Sequence, residues 1–447
     1  MTGRFEREPS ISVGLVQSVP SVAIRTTGEF LGPAGDVFPE GEYRVTRTAG
    51  GLRISGPANT TAAAWHIQPR APDTGRFSLE TTIGIDFHWE QQERQSFAGE
   101  LRIIPSGEDC LTIINDVPLE TYLASVICSE MSSTSAPDLS RAHAVIARSW
   151  LLAQIERRGH VPASSPGGRP HIGGEWIRWY DRESHTDFDV CADDHCQRYQ
   201  GVGRIDNPRV LQAIEETRGE VLTYNGIICD ARYSKCCGGV TEDFRAAWGD
   251  EHVPYLIPLR DHPSADMPSP PLTIEAAARA FIESTPPAWC QCMDNALLDT
   301  FLPSYDRSTH DFYRWTVRLD VEEAGRLVHQ KLGVDLGRIL SLTPLERGLS
   351  GRVVRLEIAG ENGRIVIGKE LEIRRALSLK HLYSSAFVVD TEGAEGRPDA
   401  FILRGAGWGH GVGLCQIGAA VMAANDVGYS RILRHYYPGA VPALAYG

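Results

Sequence analysis

The sequence predicts an α+β protein, a β-rich mixed fold in which short helices carry the active site. Three observations lead there. Residues 1–114 hold short alternating or β-branched runs, "SISVGLV", "VAIRTT", "FSLETTIGIDFHW" and "LTIIN", separated by Gly and Pro. Residues 116–155 change to a helical period. Strand patterns return at "GRVVRLEIAG" and "RIVIGKELEI", before a closing helix "LCQIGAAVMAAN". With 447 residues, 42% apolar and 23% charged, the chain has an ordinary globular composition and room for two or three domains.

Taken in order, residues 1–114 read as a sheet platform. In "DVPLETYLASVICSEM" the apolar residues Leu119, Tyr122, Leu123, Val126 and Ile127 follow the i, i+3, i+4, i+7, i+8 spacing of an amphipathic helix, with Pro118 in its first turn. A second helix follows in "STSAPDLSRAHAVIARSWLLAQ", where Ser135 and Asp138 offer a capping box around Pro137 and apolar residues on nearly every face predict burial. The stretch 162–174, "PASSPGGRPHIGG", reads as a surface loop bordering the site. A mixed segment leads to the Pro-rich boundary near 262–272, after which "LTIEAAARAFIES" predicts a further helix.

Several functions are excluded at this level. A formal charge of −13 argues against nucleic acid as a partner, because gripping a phosphate backbone needs a basic face. No stretch approaches the roughly 20 apolar residues of a membrane span, and the N-terminal apolar run is broken by Gln17, Ser18 and Pro20, so no signal peptide or anchor is visible. "GRIVIGKE" (363–370) imitates the spacing of a phosphate loop, but Glu370 stands where Ser or Thr is required and its interior is strand material. No organic cofactor is expected.

Two charged residues are out of place in the helices. Continuing the apolar face of the first helix to i+11 lands on Glu130, an acid where an apolar residue belongs. Burial disfavours the charged form, so a raised pKa suited to general acid chemistry is expected, unless the helix has already frayed and the carboxylate is solvated. Arg148, inside the second helix, needs a partner or a ligand.

Two further clusters stand out. In "RGAGWGHGVGLCQIGAA" (404–420) glycine alternates with Ala406, Trp408, His410 and Val412; an extended segment of this kind leaves one face bare, either to press against another backbone or to floor a groove. "SHTDFDVCADDHCQRYQG" places His185, Cys191, His195 and Cys196 within 12 residues, a set that can close a structural tetrahedral zinc site. A Cys191–Cys196 disulfide and an unconnected set of loop residues are the competing readings. Cys415 with His410 as a cysteine hydrolase is a weaker possibility, since their spacing does not bring sulfur to imidazole.

The ordered motifs "LETYLASVICSEM", "AHAVIARSW", "ARYSKCCGGVTEDFRAAWG" and "GWGHGVGLCQIGAA" resemble those of the stage II sporulation protein D family, which includes the amidase enhancers called LytB. The resemblance covers residues 100–262 and 345–437, and implies a catalytic core formed by 115–262 and 345–447 with an inserted section at 263–344 for which the sequence suggests no role. It further implies a lytic transglycosylase that cuts the bond between N-acetylmuramic acid and N-acetylglucosamine in peptide-stripped peptidoglycan strands. Glu130 corresponds to the family's catalytic glutamate. A single acid suits that reaction, whereas hydrolysis needs a second carboxylate at a set separation. On this reading Arg148, Tyr233, Ser234, Trp408, His410 and Gln416 contact the glycan, and Gly238 and Gly239 form a close-approach turn. The rival reading is a glycan-binding protein that stimulates a cell-wall amidase without cutting. A similar His/Cys cluster binds zinc in some relatives, and an envelope or extracellular location is implied, although this sequence departs from the family in showing no leader.

Overall fold

The computed structural model of the protein describes residues 5–85, 90–132, 134–157, 169–179, 185–264 and 270–447. The alternating run Ser10–Val19 is a strand, pairing antiparallel with Cys110–Pro118 so that Ile11 faces Val117 and Val13 faces Asn115. It belongs to a seven-stranded sheet ordered Val190–Cys191, Ser10–Val19, Cys110–Pro118, Glu100–Ser106, Trp65–Pro69, Phe30–Leu31, Val37–Phe38. A six-stranded sheet runs from Gln91–Phe97 through Arg76–Ile83, Ser21–Thr27, Gly41–Thr48 and Gly51–Ser55 to Thr60–Ala62. Alternate side chains of both sheets, among them Val13, Ile24, Phe77 and Ile113, share one core with Tyr122, Leu123, Val126 and Trp150. The helices are thus anchored directly on the β platform.

Helix α1 spans Leu119–Glu130 and α2 spans Pro137–Glu156. Pro118 closes the preceding strand at the N-cap of α1 with φ −56° and ψ 142°, one residue before its expected place in the first turn. Helix α2 is buried along nearly its whole length, as its apolar residues predict. Its expected capping box does not form. Ala136 is the N-cap, the Ser135 hydroxyl donates to the Ser132 carbonyl (2.7 Å), and the Asp138 carboxylate accepts from the Tyr429 amide (3.0 Å). Tertiary partners have taken both side chains.

A second core joins Met131, Val145 and Ile146 to Leu256, Val412, Leu414, Ile417 and Tyr436. A third joins Trp315, Leu356, Ile365 and Phe401, from the four-stranded sheet Glu175–Ile177, Gly363–Gly368, Val353–Gly360, Ile339–Arg347 and the three-stranded sheet Arg314–Asp320, Arg397–Ala406, Phe387–Ala394. "RIVI" is strand, but "ELEI" begins a helix, Glu370–Ala376, in which Glu370 pairs with Arg374 at i+4. Of the loop 162–174, residues up to 168 lie outside the described set; the rest turns into the strand Glu175–Ile177. No helix among the described residues is long and apolar enough to cross a membrane.

The glycine-rich stretch is not the extended strand expected. The strand Arg397–Ala406 ends, and Gly407, Gly409, Gly411 and Gly413 then adopt φ of 74°, 89°, 75° and 73°. A Cβ at Gly413 would sit 1.9 Å from the Arg232 carbonyl oxygen, one at Gly407 2.7 Å from that of Cys236, and one at Gly411 2.4 Å from the Arg352 guanidinium. The bare backbone therefore presses against the chain's own residues 232–238 and Arg352, which corrects the picture of a ligand groove floored by glycine. Tyr233–Ser234 and Leu414–Cys415 pair in parallel as the outcome of that close approach.

Candidate active site around Glu130

Glu130 is the last residue of α1 and is buried, with 8% of its surface exposed. Three remote chain segments hydrogen-bond to it. Its Oε1 accepts from the Arg198 amide and the Tyr233 hydroxyl, each at 3.3 Å, and its Oε2 accepts from Gln416 Nε2 at 3.3 Å. The same Gln416 nitrogen lies 3.1 Å from His143 Nε2. Lys235 Nζ donates to the Glu130 carbonyl oxygen (2.9 Å) and pairs with Asp306 (2.8 Å), while the Arg198 guanidinium bridges Asp194 and Asp306. Tyr305, beside Arg198, donates its hydroxyl to the Ser129 carbonyl.

The electrostatics differ from the expectation of a raised pKa. Burial pushes the Glu130 pKa up, but the charges of Arg198 and Lys235, aided by His143 and the Arg198 amide, together outweigh it and hold the carboxyl below the ordinary glutamate value. The sequence showed the apolar face but not the two cations folded onto it. His143 is driven the other way by the same burial, down to about 4, and is neutral at physiological pH.

Tyr233 and Gln416 are thus brought to Glu130. Ser234 is buried next to Tyr233, with its backbone paired to Cys415. Trp408 and His410 are half-buried on the adjoining turns. Trp408 packs on Phe312 (ring centroids 4.3 Å) and Tyr383 (4.9 Å), and its backbone exchanges hydrogen bonds with Cys236. His410 meets the Trp248 ring edge-on at 5.0 Å. Its Nδ1 accepts from the Val412 amide (3.0 Å). Desolvation, with Arg232, Arg352 and Arg374 nearby, lowers its pKa well below the usual histidine value. His410 Nδ1 is taken by the Val412 amide and Cys415 Sγ accepts from the Cys237 and Gly418 amides, so no His410–Cys415 hydrogen bond forms among the described residues.

Arg148 is not brought to the site. Its guanidinium is fully buried, paired with Glu120 of α1 through Nε (3.1 Å) and Nη2 (2.6 Å), and it donates to the Glu220 carbonyl (2.8 Å). The partner it needed is Glu120, and the arginine ties α2 to α1.

Sequence reading missed His143, Arg198, Lys235 and Asp306. His143 and Lys235 do lie inside the motifs "AHAVIARSW" and "ARYSKCCGGVTEDFRAAWG", five residues from Arg148 and one from Ser234, and Arg198 lies two residues after Cys196 in the His/Cys segment; their roles, like that of Asp306, exist only across the fold.

His185, Cys191, His195 and Cys196 converge, with all four ligand atoms within 4.8 Å of one another. Cys196 Sγ lies 3.5 Å from His185 Nε2 and 3.5 Å from His195 Nδ1, and Cys191 Sγ lies 3.7 Å from His195 Nδ1. No disulfide joins Cys191 and Cys196, against the disulfide alternative. For metal–ligand bonds of about 2.0–2.3 Å, tetrahedral ligands stand roughly 3.4–3.8 Å apart, so the set fits one zinc-sized ion. The cluster ends two residues before Arg198, whose amide meets Glu130.

Residues 107–224 match the sequence model of a family described as "Stage II sporulation protein", and residues 242–413 match one described as a domain of unknown function. The chain is 24% identical to the stage II sporulation protein D of Bacillus subtilis, over 73% of this chain and 74% of that protein. It is 27% identical to the amidase enhancer of the same organism, over 52% of this chain but only 32% of that protein. An uncharacterised protein of Brachyspira hyodysenteriae is 25% identical over 77% of this chain and 71% of its own length. The first match spans α1, α2 and the His/Cys cluster, which supply Glu130, His143 and Arg198 to the site; over that stretch the chain is similar to the stage II sporulation protein family, and over a longer span it resembles stage II sporulation protein D and the amidase enhancer.

Proposed function

We propose that the protein is a lytic transglycosylase of bacterial peptidoglycan, located in the cell envelope or outside the cell, with Glu130 as its acid and base. The observation that carries this reading is a buried carboxylate, Glu130, contacted by a tyrosine hydroxyl, a glutamine amide and a backbone N–H from three distant segments. Asp194 and Asp306 stand nearby, but both are engaged by Arg198. In the proposed step Glu130 gives its proton to the glycosidic oxygen as the bond from the muramic acid C1 to that oxygen breaks. The 6-hydroxyl of the same sugar then attacks C1, and its proton returns to the Glu130 carboxylate. Atoms balance without water, and the product ends in a 1,6-anhydro ring.

Tyr233 and Gln416 orient the carboxylate, Trp408 and His410 offer an aromatic edge to sugar rings, and Ser234 shapes the adjoining turn. Arg148 is assigned a structural role. Residues 1–114 serve as the platform of a core formed by 115–262 and 345–447. The donor set His185, Cys191, His195 and Cys196 would hold a structural zinc, which fixes the segment carrying Arg198.

Incubating the protein with peptide-stripped glycan and weighing the products tests the reading. Anhydro products, lighter than hydrolytic ones by one water, are expected, and Glu130→Gln should slow cleavage by at least roughly 100-fold while glycan binding persists. Hydrated reducing ends would mean a hydrolase. A second reading, a non-cutting partner of a cell-wall amidase, is favoured by the lowered pKa of Glu130, which makes a resting carboxylate a poor acid. Its signature is binding without any product, with stimulation of an added amidase.

A further inference from the structure

A second cluster of metal-ligating side chains lies in the core behind the Glu130 site. Cys237, Asp261, Cys290 and Cys415 are all buried, and their ligand atoms lie within 4.8 Å of one another. Cys237 Sγ is 3.5 Å from Cys290 Sγ and 3.4 Å from Asp261 Oδ2, the same spacing as in the His185 set and within the roughly 3.4–3.8 Å of a tetrahedral zinc centre. All three cysteines are free thiols.

The surroundings are those of thiolates and a ligating carboxylate. Backbone amides donate to the sulfurs: Cys237 N to Cys415 Sγ (3.2 Å), Gly418 N to Cys415 Sγ (3.4 Å) and Gly239 N to Cys237 Sγ (3.4 Å). Cys415 is also the N-cap of the helix Gln416–Ala424, where the helix dipole favours a negative sulfur. Asp261 is fully buried; its Oδ1 accepts from the Tyr436 hydroxyl (2.8 Å) and faces His435 Nε2 (3.4 Å), and its Oδ2 accepts from the Cys290 amide (3.2 Å). One oxygen is held by outer partners while the other faces the thiols, an orientation typical of a metal-bound carboxylate. A buried carboxylate among thiols, with no arginine or lysine paired to it among the described residues and an imidazole that is cationic only when protonated, calls for a positive charge.

We propose that Cys237, Asp261, Cys290 and Cys415 bind a second, structural zinc ion. Thiolates select a soft or borderline metal, and four donors around one point leave no open position for catalysis. The ion joins four remote segments: the "YSKCCGG" turn, the stretch that carries Asp261, the "WCQCMD" loop of the 263–344 section, and the start of the helix Gln416–Ala424. Lys235 and Gln416, which meet Glu130, are two residues from Cys237 and adjacent to Cys415. The inserted section thus acquires a role: through Cys290 it clamps the two turns that shape the Glu130 site.

The test is metal content of the full chain, purified without chelator and measured by elemental analysis beside Cys191→Ser and Cys290→Ser. One zinc equivalent should survive in Cys191→Ser, which leaves this cluster untouched, and one should be lost from Cys290→Ser. After cobalt substitution, Cys191→Ser should keep the thiolate-to-cobalt absorption of a tetrahedral site. If Cys290→Ser does not fold, the metal retained by Cys191→Ser still decides. A metal-free Cys191→Ser protein, unchanged zinc in Cys290→Ser, or a Cys237–Cys290 disulfide found by mass spectrometry would each overturn the proposal, none of them bearing on glycan cleavage.

Discussion

Glu130 sits where two opposing effects are both large. Loss of water from a buried carboxylate favours its neutral form, yet Arg198 and Lys235 stabilise the anion more, so the unliganded site holds a base that must acquire a proton before it can act as an acid. Cleavage that begins with proton donation should therefore gain in kcat/KM as pH falls toward the acidic side. Removing a positive charge should raise the Glu130 pKa. Lys235→Met is accordingly expected to move the descending limb of the kcat/KM profile to higher pH, even though kcat falls because the Asp306 pair is broken. A profile that drops in height without moving would show that Lys235 only props the fold.

At the level of elements, α1 and α2 depend on one another through a buried ion pair. Arg148 is fully enclosed, and Glu120 Oε1 also accepts from the Tyr446 hydroxyl (2.5 Å) and the Gly219 amide (3.2 Å), so every part of the pair is satisfied. Truncating one partner leaves an uncompensated buried charge, which costs about 3–5 kcal/mol. Arg148→Ala should thus lower the unfolding free energy by that order, as read by urea denaturation. A loss below about 1 kcal/mol, the level of an exposed pair, would contradict the burial. The turns at Gly407–Gly413 work by a different device: positive φ and the absence of Cβ let them lie on residues 232–238, and a side chain at Gly407 or Gly413 would collide with backbone that cannot retreat, one at Gly411 with the Arg352 guanidinium.

For the whole molecule, histidines whose pKa is lowered by loss of water contribute to the response to acid. His143 has a folded pKa of about 4 against an ordinary 6.5, so the unfolded chain takes up its proton first as pH falls. Its contribution to stability is complete above pH 6.5 and is lost progressively down to about 4, with a slope of up to about 1.4 kcal/mol per pH unit for one proton. His410 acts in the same direction. Glu130, with its depressed pKa, adds a loss only below the ordinary glutamate value of 4.5. His143→Gln should flatten the dependence of the urea midpoint on pH between 6.5 and 4; an equally steep dependence in the variant would place the acid sensitivity elsewhere.

Four strands of the platform, Ser10–Val19, Ser21–Thr27, Arg76–Ile83 and Cys110–Pro118, the helix α1, the burial of α2 and the position of Glu130 on an apolar face were legible from the sequence, because period and burial are local properties of a chain. So was the His/Cys cluster, whose four ligands fall within one short segment. The glycine stretch was legible as a place of close approach but not as to what approaches, since alternation cannot distinguish an extended strand from a row of positive-φ turns. The partner of Arg148, the cations that lower Glu130, and the meeting of Cys237, Asp261, Cys290 and Cys415 could be decided only by tertiary structure. Electrostatic and coordinate interactions act over a few ångströms, and nothing in the order of residues fixes which groups separated by up to 178 positions come to lie that close.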